Sequence, residues 1–188
     1  VCAIVERMGS VPAIQLGHTG RKGSEVPPHK ETNEEGTWKQ LPPDHPNGWT
    51  CVAPSAIPYG GGGHIHPVHE LTVAEIKAIH QAYADAAVRA REAGYKWLEM
   101  HYAHGYLGAS FFSPLANQRT DDYGGSVEKR LRFHTEALDA VRAVWPEEYP
   151  LTIRLGSDDL NPAGIQFEDS IYAVAKLKEH GLDLADLS

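Results

Sequence analysis

Trp97-Leu-Glu-Met-His-Tyr-Ala-His-Gly-Tyr106 is a short apolar run that gives way to two imidazoles and a phenol. Trp97–His101 has the length of a buried strand rather than a helix, and its flanks decide the class of fold. Upstream, Thr72-Val-Ala-Glu75 has the spacing of a capping box, in which the hydroxyl accepts from a first-turn N–H and the carboxylate reaches back. Ile76, Ile79, Tyr83 and Ala87 then recur on one helical face, with a stop near Gly94. Downstream, Ser126 caps a second helix, with Leu131, Leu138, Val141 and Trp145 inward and Pro146 just past its end. Leu151-Thr-Ile-Arg-Leu155 is another strand. Ile171, Val174 and Leu177 mark a third helix closed by Gly181, and a last strand starts at Leu182. Pro12-Ala-Ile-Gln-Leu-Gly17, apolar and bounded by turn residues, is the strand that precedes them all. Strands alternating with helices imply an α/β fold with a parallel sheet. A doubly wound sheet and a (β/α)8 barrel share this signature.

Between Gly23 and about residue 70 the composition turns to proline, glycine and polar residues, with Trp38 and Trp49 as isolated apolar anchors. Such a length is unusual for a plain connection and reads as a loop excursion or a small capping subdomain over 23–70. Gly60-Gly-Gly-Gly63 lacks the spacing of a phosphate-binding loop and reads as a flexible turn. The 188 residues carry a net charge of −8, which disfavours nucleic acid as a partner and offers no polybasic membrane patch. No apolar run approaches the about 18 residues of a membrane span. Cys2 and Cys51 are the two cysteines, too few for a disulfide framework, and a reducing cytoplasm is expected. The chain opens on Val1-Cys-Ala-Ile-Val-Glu-Arg-Met8, like the middle of a helix, and stops inside a strand. Both ends read as cut.

In α/β barrels the reactive groups stand at the C-terminal ends of the strands. Gln15, His101, His104 and Arg154 lie in or just after three different expected strands, as a shared mouth requires. Two neutral imidazoles each have an N–H for one carbonyl or anionic oxygen, and a phenol beside them can protonate an adjacent carbon. A packed strand end with satisfied histidines is the plainer alternative, as is a salt bridge from Arg154 to Asp158 or Asp159. His64-Ile-His66 with His69 imitates a metal pattern, but in a loop of this composition solvated histidines are expected. No metal site is expected. His101 and His104 could otherwise serve a metal-dependent barrel hydrolase.

The run from His101 continues through Ser113-Pro-Leu-Ala-Asn-Gln-Arg-Thr-Asp-Asp-Tyr-Gly-Gly-Ser126, and upstream lies Gln15-Leu-Gly-His-Thr-Gly-Arg-Lys22. Together these segments closely resemble the Old Yellow Enzyme family of FMN-dependent ene-reductases, in the thermophilic-like branch that includes xenobiotic reductases. The resemblance runs from Pro12 to the last residue. It implies a (β/α)8 TIM barrel of which only about half is present, matching strands 3 to 6. It implies FMN as cofactor, NAD(P)H as electron donor and an activated alkene as the small-molecule substrate, with a homo-oligomeric full-length parent.

By resemblance, His101 and His104 bind the carbonyl or nitro oxygen, Tyr106 is the proton donor to the α-carbon, and Gln15 and Arg154 contact the flavin. His18, Arg21, Lys22, Asn117, Arg119, Asp121 and Arg130 lie in the same motifs and read as structural bracing. Gly17 stands where alanine is common, and Tyr102 replaces a usually small residue, which should reshape the loop or pocket. The segments that would carry the flavin phosphate site and the first strands' contacts have no counterpart here. The 188 residues alone are therefore expected to hold FMN weakly, and a catalytically silent half-barrel needing a complementary chain is the alternative.

Overall fold

The computed structural model describes residues 1–26, 40–61, 64 and 66–188. A short helix α1 (Cys2–Arg7) leads into β1 (Ala13–Gly17), which is followed by a 3-10 turn (Gly20–Lys22). Two short strands, β2 (Val52–Ala53) and β3 (His69–Glu70), precede α2 (Val73–Glu92) and β4 (Trp97–Tyr102). Then come α3 (Leu107–Phe112), α4 (Val127–Arg142), β5 (Leu151–Leu155), α5 (Phe167–Glu179) and β6 (Leu184–Leu187). Strands β1, β4, β5 and β6 form a four-stranded parallel sheet in chain order.

Local signals set the long helices. Thr72 Oγ1 accepts from the Glu75 N–H at 3.3 Å while Glu75 Oε2 accepts from the Thr72 N–H at 2.7 Å, the reciprocal box read from sequence. Hydrogen bonds from the Thr72 backbone N–H first, then from His69 and the Thr72 hydroxyl, hold the Glu75 carboxyl down to about 2. Ser126 caps α4 through the Lys129 N–H at 3.4 Å.

The helices cover one face of the sheet. Leu98, Met100 and Tyr102 of β4 and Leu151, Ile153 and Leu155 of β5 pack with Ile76, Tyr83 and Ala87 of α2, Leu131, Leu138 and Val141 of α4, and Ala173 and Leu177 of α5. Among the described residues, the alternate strand residues on the other face are outside this helix-packed core. A doubly wound sheet is covered on both faces. One-sided cover of a parallel sheet is the geometry of a (β/α)8 barrel, and the chain forms about half of one, with the open face being the barrel's inner wall.

Several expectations need correction. Ile171 is 57% exposed, and the inward row of α5 is Ser170, Ala173 and Leu177. The last strand begins at Leu184, because Asp183 Oδ2 is used to accept from the Leu151 N–H and from Arg142. Trp145 is buried as expected but lies beyond the end of α4. The helix α3 gave no periodic signal, being only one and a half turns long and buried on nearly every side.

In the 23–70 segment, β2 and β3 pair in parallel and enclose a small separate cluster of Cys51, Ala53 and Val68. Trp49 is 52% exposed, with its ring against Gly23, while Trp38, Gly62 and Gly63 lie outside the described residues. His64 is buried rather than solvated: its Nδ1–H donates to the Gly61 carbonyl at 2.8 Å and its Nε2 pairs with Glu25. His69 pairs with Glu75 instead, so the His64–His69 group splits into two separate contacts. Among the described residues no three His, Cys, Asp or Glu side chains converge as a metal cluster would require. No described helix is long and apolar enough to cross a membrane.

Candidate active site

Parallel register aligns the open-face residues in rows. Gly17, His101, Arg154 and Asp186 are successive neighbours in the top row, at the C-terminal ends of the strands. Gln15, Glu99, Thr152 and Leu184 form the row beneath. Only a small residue fits beside His101, since a Cβ on Gly17 would approach His101 Cβ to 3.2 Å.

After β4 the chain reverses through two consecutive left-handed residues, His104 at φ 61° and Gly105 at φ 71°. A non-glycine residue there is strained by about 1 kcal/mol or more. The reversal brings the His104 ring back to 4.9 Å from the His101 ring, at 88° to it. Tyr106, the N-cap of α3, lies 5.1 Å from His101 on another side, so the three side chains expected to act together are in contact across one mouth.

The protonation of His101 follows from its surroundings. The Ala103 backbone N–H donates to His101 Nδ1 at 3.2 Å, so Nδ1 must be the acceptor and the ring proton sits on Nε2. Burial, then the neighbouring His104 and Arg154, push the His101 pKa down. Both effects favour the neutral ring with its proton on Nε2, the nitrogen left to donate. His104 Nε2 lies 3.0 Å from Ser188 Oγ. Lys22 Nζ donates to the His104 carbonyl at 3.1 Å and sits over the rings of Tyr59 and Tyr106, at 4.7 and 5.3 Å. A cleft of about 480 Å³ opens beside His104 between α3 and the loop after β5, walled by Tyr59, Phe112, Leu115 and Ile165, with Arg21 and Asp159 among its polar groups.

Arg154 does not bridge to Asp158 or Asp159. Its Nε, sealed from solvent, faces Oδ2 of its row neighbour Asp186 in an ion pair at 3.4 Å, outside hydrogen-bond geometry. Gln15 donates its Nε2 to Glu99 at 2.6 Å, leaving its carbonyl oxygen as an acceptor on the open face. The guanidinium charge of Arg154, whose side chain is partly exposed on the open face, and a fixed amide acceptor on the same wall suit a flavin, whose pyrimidine edge presents both carbonyl oxygens and an imide N–H. The residues present therefore fit the FMN that the resemblance implies.

The remaining motif residues brace the scaffold. Arg119 donates to the carbonyls of Pro54 and Leu71 and pairs with Asp121. Arg130 donates to Phe112 O, and Asn117 to Phe111 O and Tyr123 O. His18 accepts from the Gly20 N–H, and its carbonyl takes the Leu107 N–H. Arg21 ties down Ile57 and Pro58 while also lining the cleft. Tyr102 does not enter the open face: strand alternation turns it under the helices, against Gly108, Tyr83 and His134. Sequence reading overlooked Glu99 and Asp186, although Glu99 lies two residues before His101 and the period of a strand puts both on one face.

Residues 2–188 match the NADH:flavin oxidoreductase / NADH oxidase family. An NADPH dehydrogenase of Geobacillus thermodenitrificans is 40% identical over 185 residues, covering 98% of this chain and 47% of that protein. Morphinone reductase in complex with tetrahydroNAD superposes with a TM-score of 0.78 at 30% identity, over 99% of this chain and 51% of that one. A 2-naphthoyl-CoA reductase superposes at 0.80 with 30% identity, over 100% of this chain and 27% of that one. The chain spans about half the length of the curated relatives it matches. The sheet, the paired histidines and the match along its whole length place this chain in the NADH:flavin oxidoreductase family, whose members use FMN and NAD(P)H.

Proposed function

We propose that the protein, in its full form, is an FMN-dependent NAD(P)H oxidoreductase that reduces activated C=C bonds, in α,β-unsaturated carbonyl compounds and nitroalkenes. The observation that carries this reading is the neutral, Nε2-protonated His101 set against His104 at the open mouth. Two N–H donors at one point suit an oxygen that becomes negative during reaction, because such bonds strengthen as charge develops. Polarising that oxygen draws density from the β-carbon and makes it electrophilic. FMN held at this wall and reduced by NAD(P)H would supply the hydride. The phenol of Tyr106, beside His101, is placed to deliver the proton to the α-carbon and so to complete addition of H₂ across the double bond. Arg154 and Gln15 would hold the edge of the flavin ring. We further infer a cytoplasmic enzyme whose full-length form is a homo-oligomer.

The test is FMN reconstitution followed by turnover of 2-cyclohexenone with NADPH. Retained flavin and a reduced ketone product support the reading. Retained flavin with NADPH oxidised only by dioxygen removes the C=C class and leaves the flavin. A second reading, a catalytically silent half-barrel that needs a complementary chain, draws on the unpaired outer edges of β1 and β6, and colourless protein after reconstitution favours it.

A further inference from the structure

A carboxylate in the middle of an otherwise apolar strand, half-buried and facing the inner wall, calls for a partner. Glu99 has Gln15 as its register neighbour on one side and Thr152 on the other. Its Oε1 accepts from Gln15 Nε2 at 2.6 Å, and its Oε2 takes the Thr152 hydroxyl at 3.4 Å. Thr152 is in turn fixed by the Trp97 indole N–H at 3.0 Å. Arg154, one row above, is paired with Asp186 instead.

We propose that Glu99 is a positioning residue that locks the side-chain amide of Gln15 with its carbonyl oxygen, rather than its NH₂, presented to the flavin ring. This rests on the flavin reading above. An ionised carboxylate only accepts hydrogen bonds, so the amide of Gln15 can face it in one orientation alone. The opposite end of the amide is then an acceptor, matched to the imide N–H of a flavin and mismatched to its carbonyl oxygens. Glu99 touches neither substrate nor the reacting atoms and acts through Gln15.

The prediction separates this role from simple bracing. Glu99→Gln lets the amide pair flip, and Gln15→Leu removes the acceptor. Each should weaken FMN binding about tenfold, the worth of one hydrogen bond. The exchanged double variant Gln15→Glu/Glu99→Gln rebuilds the pair with the donor on the other strand and an acceptor still facing the ring, and should bind FMN more tightly than either single variant. Wild-type affinity in Glu99→Gln, or an exchanged variant weaker than both singles, overturns the proposal. The side-chain NH₂ resonances of Gln15 provide a readout without flavin: they should shift as the Glu99 carboxyl titrates and lose that response in Glu99→Gln. If the wild type takes up no FMN, the flavin reading fails. The Gln15 resonances still decide the positioning role, a pH response supporting it and its absence refuting it.

Discussion

On β4, Leu98, Met100 and Tyr102 are removed from solvent beneath the helices, while Glu99 and His101, between them on the same strand, stand half-exposed on the open face. The covered set is shape-matched. A Cβ on Gly108 would come within 2.4 Å of Tyr102 Cδ1, so the tyrosine ring fits only over a glycine. Phe111 and Phe133 stack at 4.2 Å beside it. The open set is matched by hydrogen bonding: Gln15 to Glu99, Glu99 to Thr152, and Arg154 paired with Asp186. One face holds the chain together by excluding water, and the other keeps polar groups aimed. Variants on the two faces should therefore fail in different ways.

The largest effect is expected on the covered face. Leu98→Ala removes a fully buried side chain and should lower unfolding free energy by about 2–5 kcal/mol in denaturant titration, with the open-face groups chemically intact. A loss within about 0.5 kcal/mol would break the comparison.

On the open face, His101→Ala and His104→Ala should each cut turnover of the FMN-loaded enzyme about a hundredfold, while their denaturation midpoints stay close to wild type. Equal losses of stability and activity would mean that this face is structural too.

The covered face also hides titratable groups. His134 is fully buried among aromatic rings, and burial pushes its pKa down to about 3 from 6.5. His80 is pushed down to about 4 by the same cause. The unfolded chain takes up these protons near pH 6.5 and the folded chain does not until far lower. Stability is therefore complete above pH 6.5 and is lost as pH falls toward about 3, at about 1.4 kcal/mol per pH unit for each histidine. Unfolding measured across pH 7 to 4 should show this slope, and His134→Phe should reduce it by roughly half.

The smallest effect is expected at Tyr102, whose buried hydroxyl has no partner. Tyr102→Phe should leave stability unchanged or raise it by about 1 kcal/mol, because no hydrogen bond is lost. A drop of that size would reveal a buried water bound to the hydroxyl.

The order of strands and helices, both serine and threonine helix caps, and the cluster of His101, His104 and Tyr106 were legible in the chain, because capping and periodicity are local. So was the bracing role of Arg119 and Arg130, through the long motif from Ser113 to Ser126. Which row of α5 turns inward was not legible, since two apolar stripes on one helix are equivalent until the sheet picks one. The ion pair of Arg154 with Asp186 was not legible, because Asp158 and Asp159 are near Arg154 in sequence while Asp186 is near it only through the pairing of β5 with β6.

The sequence by itself determined the class of fold, the family resemblance and the chemical types gathered at the mouth, all of which depend on residues close along the chain. The tertiary structure alone decided that helices cover one face of the sheet, that His104 turns back onto His101 through a left-handed backbone, and that Glu99 grips Gln15. Those are contacts between residues that only parallel register and chain reversal bring together, and no periodicity along the chain encodes them.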